Sequence, residues 1–165
     1  LLKKAGATPI GLPVPIVPEA LSRGVIDATV IPWEVTTALK VEELTSTHTE
    51  FAGERALYTS TFVFAMNRAK YDSLPKNLQK VIDDNSGPET GAWASQMMID
   101  ADAPARQVAV KRGNTIVTID GEELKRWTAV GDAVTADWVA EMDDSRRDGQ
   151  ALVDDARALI EFYSK

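Results

Sequence analysis

Glu19-Ala20-Leu21-Ser22-Arg23-Gly24-Val25-Ile26-Asp27-Ala28-Thr29-Val30-Ile31-Pro32-Trp33-Glu34 is the stretch on which the reading of this 165-residue chain turns. Pro18, just before it, suits the first turn of a helix, where a missing N–H costs nothing, and Gly24 supplies a left-handed stop. The helix between them is short. Val25 to Ile31 is rich in β-branched residues and ends at Pro32, which has no N–H to give a ladder. An apolar run of this length predicts a strand buried on both faces of a parallel or mixed sheet. Ile31-Pro32-Trp33-Glu34 then falls at the carboxyl end of that strand, where open α/β sheets form their ligand crevices.

Working outward, Leu1-Leu2-Lys3-Lys4-Ala5-Gly6 reads as the last turn of a helix, with two lysines at its negative dipole end and a glycine stop, so the chain is expected to be the C-terminal part of something larger. Ala7 to Leu12 is a short strand candidate, and Pro13, Pro15 and Pro18 fix an extended entry to the helix. Trp33 to Leu44 is helical in tone. Tyr58 to Asn67 alternates, with Tyr58, Ser60, Phe62, Phe64 and Met66 on one face, and predicts another strand. Leu74-Pro75 opens a helix carrying Leu78, Val81 and Ile82. A longer helix follows Gly87-Pro88, its stripe of Trp93, Met97, Ala101, Ala105 and Val108 interrupted by Pro104. A single kinked helix able to bridge two lobes is the expectation, with two helices separated at the proline as the alternative. Ile116 to Ile119 is a brief strand, and Asp120 with Glu123 resembles a capping box. Leu124, Trp127, Val130, Val134, Trp138 and Met142 line the next helix; Leu152, Ala156, Leu159 and Tyr163 line the last. The alternation of elements gives an α/β fold, without internal repeats.

The formal charge is −7, from 18 basic and 25 acidic residues, which disfavours a phosphate-binding surface and therefore nucleic acid as partner. No apolar run reaches the length of a membrane span. With no cysteine and one histidine, thiolate metal sites and familiar zinc sites are excluded, and His48 reads as a polar loop histidine. The doublets Asp83-Asp84, Asp143-Asp144 and Asp154-Asp155 lack metal-loop spacing and read as solvated helix faces. Glycine-rich phosphate loops and the nucleophile elbow do not occur. What remains is Trp33 at a strand end, a broad apolar wall with one N–H donor; packing in the helix core is the competing reading of that residue.

Gly6-Ala7-Thr8-Pro9-Ile10, Pro13 and the segment from Glu19 to Asp27 together resemble the second-lobe signature of the solute-binding proteins of tripartite ATP-independent periplasmic (TRAP) transporters. Met66-Asn67, Tyr71 and Leu74-Pro75, then the long helix, the Ile116 to Ile119 strand and the Trp127 helix, follow the order of that family. The resemblance implies a periplasmic-binding-protein-like, type II-like two-lobe α/β fold that closes on a small organic acid, here truncated to the second lobe, hinge elements and C-terminal helices. It divides the chain into residues 1–58 (second lobe, first segment), 59–88 (crossing strand and return into the first lobe), 89–112 (kinked inter-lobe helix), 113–143 (second lobe, return segment) and 144–165 (C-terminal helix). An arginine that grips the ligand carboxylate bidentately is implied upstream of Leu1, as is a signal sequence for the periplasm. Pro13 and Val14 match the family's pocket-lining turn. Ile31 stands where several members place asparagine; it cannot hydrogen-bond a ligand, which favours an apolar or aromatic carboxylate with Trp33 as its wall. Glu34 and Phe62 complete the expected ligand-binding set. No catalytic residue, metal or cofactor is implied, and the implied partners are the organic acid and the transporter's membrane subunits.

Two other readings of the residues stay open at this point. One is a cytosolic α/β enzyme acting on a small acid, with Glu34 or Asp27 as general base. The other is an interaction module whose helical second half, or apolar surface exposed by the loss of a lobe, drives oligomers.

Overall fold

The computed structural model describes residues 1–53 and 56–163; Glu54 and Arg55, in the expected segment 1–58, and Ser164 and Lys165, in the expected segment 144–165, lie outside the described residues. The chain forms two compact units, Leu12–Thr118 and Leu1–Gly11 with Ile119–Lys165.

Within Leu12–Thr118, Pro13 leads into a 3-10 turn at Val14–Ile16 that continues as helix α1, Val17–Ser22. Gly24 ends it as the sequence predicts, at a φ of 65°, with the Val25 N–H returning to the Ala20 carbonyl at 2.9 Å. Trp33 to Leu44 is two helices rather than one: α2, Trp33–Leu39, and α3, Val41–Leu44, separated by Lys40 at a φ of 53°. A non-glycine residue in the left-handed region ends the helical ladder, a break no sequence signal announces. Strand β1, Thr47–Phe51, follows, then α4, Arg68–Asp72, α5, Lys76–Asp84, α6, Pro88–Arg112, and strand β2, Thr115–Ile119. Helix α6 runs unbroken through Pro104, which overturns the two-helix alternative.

The expected strands at Ala7 to Leu12, Val25 to Ile31 and Tyr58 to Asn67 are not strands here: these segments carry no regular hydrogen-bonded structure. Alternation and β-branching favour an extended backbone, but a strand also needs a neighbour to pair with. The sheet among the described residues has two strands, β1 beside β2. Ser46 accepts the Thr115 N–H at 2.8 Å, and further along, Glu50 meets Thr118, so the two run in the same direction, with α6 in the crossover a parallel pair requires. His48 therefore sits in β1 and not in a loop. Thr47-His48-Thr49-Glu50 alternates between polar side chains, so the apolar pattern that normally marks a strand is missing.

The core of this unit is built from small side chains: Val17, Ala20, Val41, Ala105 and Ala109, the last wholly buried. Helix α2 packs along α6, and the small residues at 105 and 109 of α6 leave room for close helix approach. The rest of the expected α6 stripe is uncovered, with Trp93 and Met97 exposed. Periodicity identifies a face, not what lies against it.

In the other unit, the first residues close as the sequence predicts. Gly6 at a φ of 88° donates to the Lys3 carbonyl and Ala7 to that of Leu2. Lys4 pairs with Asp137 at 2.8 Å. Asp137 lies on α7, Gly121–Asp144, which packs against α8, Gly149–Tyr163. Asp120 is the N-cap of α7, yet its side chain makes no capping hydrogen bond, so the expected capping box does not form. Trp138, Leu152, Leu159 and Tyr163, expected on packed stripes, are exposed. Where α7 and α8 meet, a Cβ on Gly149 would lie 2.6 Å from the Val139 carbonyl oxygen, so only glycine fits.

Candidate functional site

The expected strand-end site begins at the N-terminus of α2. Pro32 has the extended backbone of an N-cap and no side-chain donor or acceptor to satisfy the first turn. That work passes to α6: the Glu34 N–H donates to Asp102 Oδ1 at 2.9 Å, while the Glu34 carboxylate turns back to accept the Val35 N–H at 3.1 Å. A carboxylate at a helix N-terminus is favoured by the exposed N–H groups and the helix dipole together.

Trp33 is part-buried, and its ring lies against His48, with centroids 5.0 Å apart and planes tilted by 33°. Its indole N–H is near enough to the Glu50 carboxylate to be the smallest of the influences that hold that carboxyl low. Tryptophan thus brings ring surface to this region, with its donor turned toward Glu50. Glu50 is also gripped by Arg106 of α6 through a two-pronged pair, Nε to Oε2 and Nη2 to Oε1, both 2.8 Å. The hydrogen bonds from Arg106 hold the Glu50 carboxyl below the usual carboxylate range against the opposing effect of burial, and the same pair raises the Arg106 guanidinium. Asp102 and Arg106 are four residues apart, so both face the same side of α6.

Behind His48 lies a second polar junction. The Asn114 side-chain amide donates to the Glu42 and Thr45 carbonyls at 2.9 Å each, and its nitrogen is 3.0 Å from His48 Nε2. The amide nitrogen cannot accept a hydrogen bond, so a proton on Nε2 would have no partner there, and the neutral ring with its proton on Nδ1 suits the contact. Burial pushes the His48 pKa down, partly offset by the carboxylate of Glu42. Glu42 is itself buried, and its Oε2 has no hydrogen-bond partner.

The remaining expected site residues are not drawn into this cluster by polar or ring contacts. Pro13 caps the 3-10 turn and Val14 opens it, both exposed. Ile31 is part-buried in the extended segment before Pro32, and Phe62 is exposed in the segment from Tyr58 to Asn67. The Tyr58 hydroxyl donates to the Val30 carbonyl at 3.4 Å, which ties those two extended segments near Ile31. Sequence reasoning missed Glu50, Asp102, Arg106 and Asn114. Their partners lie 56 to 72 residues away along the chain, and local spacing carries no signal at that range. No group of three or more His, Asp or Glu residues among those described could hold a metal ion, and none of the described helices is long and apolar enough to cross a membrane.

Comparison with known proteins bears directly on what such a site serves. Residues 1–141 match the model of bacterial extracellular solute-binding protein, family 7 (DctP). A TRAP solute-binding protein of an unidentified marine microbe, specific for aromatic acid ligands and crystallised with 3-hydroxybenzoate, is 44% identical with a TM-score of 0.94; the match covers 99% of this chain and 51% of that one. A TRAP solute-binding protein from Rhodoferax ferrireducens with copurified benzoate is 45% identical with a TM-score of 0.93, over 99% of this chain and 51% of that one. A more distant one from Bordetella bronchiseptica, with bound mandelate, is 25% identical with a TM-score of 0.79, over 98% of this chain and 50% of that one. The chain thus spans about half the length of the solved structures it matches, and the α/β fold read from the sequence is theirs. These are solute-binding proteins and not enzymes, which removes the reading of Glu34 or Asp27 as a general base. The chain belongs to the DctP family, the bacterial extracellular solute-binding proteins of TRAP transport.

Proposed function

We propose that this chain forms part of a periplasmic receptor that binds a small aromatic carboxylate of the benzoate type and delivers it to the membrane subunits of a TRAP transporter. The observation that carries the reading is its likeness, at 44–45% identity and across nearly the whole chain, to structures bound to 3-hydroxybenzoate and benzoate. The residues agree with it. The Ile31 side chain offers no hydrogen bond to a sugar acid's hydroxyls, and Trp33, with its N–H turned toward Glu50, offers chiefly ring surface. Pro13, Val14, Glu34 and Phe62 complete the proposed lining. The carboxylate's charged anchor would come from the half of the receptor that the relatives carry and this chain does not span; Arg106 is already occupied by Glu50. The division at residues 58, 88, 112 and 143 into lobe and hinge segments belongs to the same proposal. Taken alone, the chain exposes Phe62, Val63 and Phe64, and self-association of the isolated piece, read by light scattering, is the expected result.

Thermal denaturation of the intact receptor with benzoate, 3-hydroxybenzoate and a panel of aliphatic acids tests the assignment. A ligand at about 100 times its Kd stabilises by about 2.7 kcal/mol, a readily measured shift. Stabilisation by the aromatic acids and weaker response to the aliphatic ones is expected, and Trp33→Ala should weaken benzoate binding about tenfold. No response to any aromatic acid would overturn the proposal.

A further inference from the structure

We propose that Asp102 and Arg106, one turn apart on α6, are positioning residues for Trp33, acting through the Glu34 N–H and the Glu50 carboxylate. The inference rests on the reading of Trp33 as a ligand wall and says what fixes that wall in place. Trp33 needs fixing because it opens a short helix straight after Pro32 and an extended segment without a ladder, so neither sheet nor helix interior holds it. Two grips from α6 do. Asp102 holds the backbone beside it, at the Glu34 N–H, 2.9 Å away. Arg106 holds Glu50 in a two-pronged pair at 2.8 Å, and the Glu50 carboxylate so fixed stands near the indole N–H. The Thr118 hydroxyl reaches the same carboxylate from β2 at 3.4 Å. With the backbone held at one end, a fixed carboxylate facing the indole nitrogen at the other and His48 against the ring, one rotamer of Trp33 is selected before any ligand arrives. Lysine in place of Arg106 would keep the charge and lose the planar fork.

The test uses indole-15N-labelled receptor, with Trp33→Phe assigning the Trp33 indole N–H signal and matching substitutions assigning those of the other three tryptophans in this chain. In Glu50→Ala the Trp33 signal should shift and exchange faster with solvent while those of the other three tryptophans in this chain stay in place. Benzoate should bind about threefold to tenfold more weakly, the range expected for one side chain that must be ordered on binding. Glu50→Gln, which keeps one oxygen for Arg106 or the indole but sets an amide N–H against the second prong, should recover only part of both effects, and Arg106→Lys and Asp102→Ala should each move the Trp33 signal. If Glu50→Ala does not fold, Arg106→Lys and Glu50→Gln carry the comparison. An unmoved Trp33 signal, or the signals of this chain's four tryptophans all moving together, would overturn the proposal. Loss of the ligand-wall reading looks different: Trp33→Ala would bind benzoate as tightly as wild type, whatever the indole signal reports.

Discussion

Replacing Asn114, just past the end of α6, by alanine removes a side chain that fastens it to the α3–β1 joint. Its amide donates to the Glu42 and Thr45 carbonyls at 2.9 Å each and packs its nitrogen 3.0 Å from His48 Nε2. A hydrogen bond of this kind contributes about 0.5–1.5 kcal/mol net, so losing two predicts about 1–3 kcal/mol of destabilisation. The site is part-buried, and water reaching either freed carbonyl moves the loss toward the lower figure. Asn114→Asp sharpens the test, because it keeps the shape but points an acceptor at two acceptors; at pH 8, with His48 neutral, it should cost more than alanine. Urea denaturation gives the free energies. Amide exchange at Thr115, whose N–H donates to Ser46 next door at 2.8 Å, shows whether the loss is local. A change below about 0.5 kcal/mol with Thr115 exchange unaltered, or aspartate tolerated better than alanine, would refute this account of the junction.

Burial lowers the His48 pKa in the folded state, so the neutral ring favours folding, and the stabilisation present above pH 6.5 should fade as the pH falls through the folded value. A second loss should follow below pH 4.5, as Glu50 takes up a proton against the pull of Arg106. Urea midpoints from pH 8 to 5 should decline in wild type and stay flatter in His48→Gln; equal slopes would contradict the assignment. Two glycines give a contrast in the α7–α8 unit. Gly131→Ala, in the interior of α7 with open space around a new Cβ, should stabilise by about 0.4–1 kcal/mol, whereas Gly149→Ala, driving a methyl against the Val139 backbone, should destabilise by about 1–3 kcal/mol in the same urea assay. Equal effects would mean that the α7–α8 contact gives way more easily than its geometry implies.

Helix ends were the most legible features of the sequence, because their cause is local. Gly24 stops a helix and Gly6 closes the first turn where the lack of a Cβ allows a positive φ, and Pro75 and Pro88 begin helices where a lost N–H costs nothing. Strands were the least legible. Val25 to Ile31 and Tyr58 to Asn67 have the right residues and no ladder, while the polar strand at Thr47–Phe51 has a ladder and no apolar alternation. A strand is defined by its neighbour, which the local sequence does not encode. The same distinction divides the site. Trp33 and Ile31 could be picked out from their place after a β-rich run. Glu50, Asp102, Arg106 and Asn114 acquire their roles only when segments more than fifty residues apart are brought together.

Asp102 and Arg106 share one side of α6, and Pro104 stands between them. Because each residue of an α-helix advances the azimuth by about 100°, a slip of α6 by a single position would swing both side chains away from their targets at once. The first turn of α2 and the middle of β1 are therefore not adjusted separately: they are geared to the same shaft, and the angular setting of that shaft is a single mechanical variable governing both.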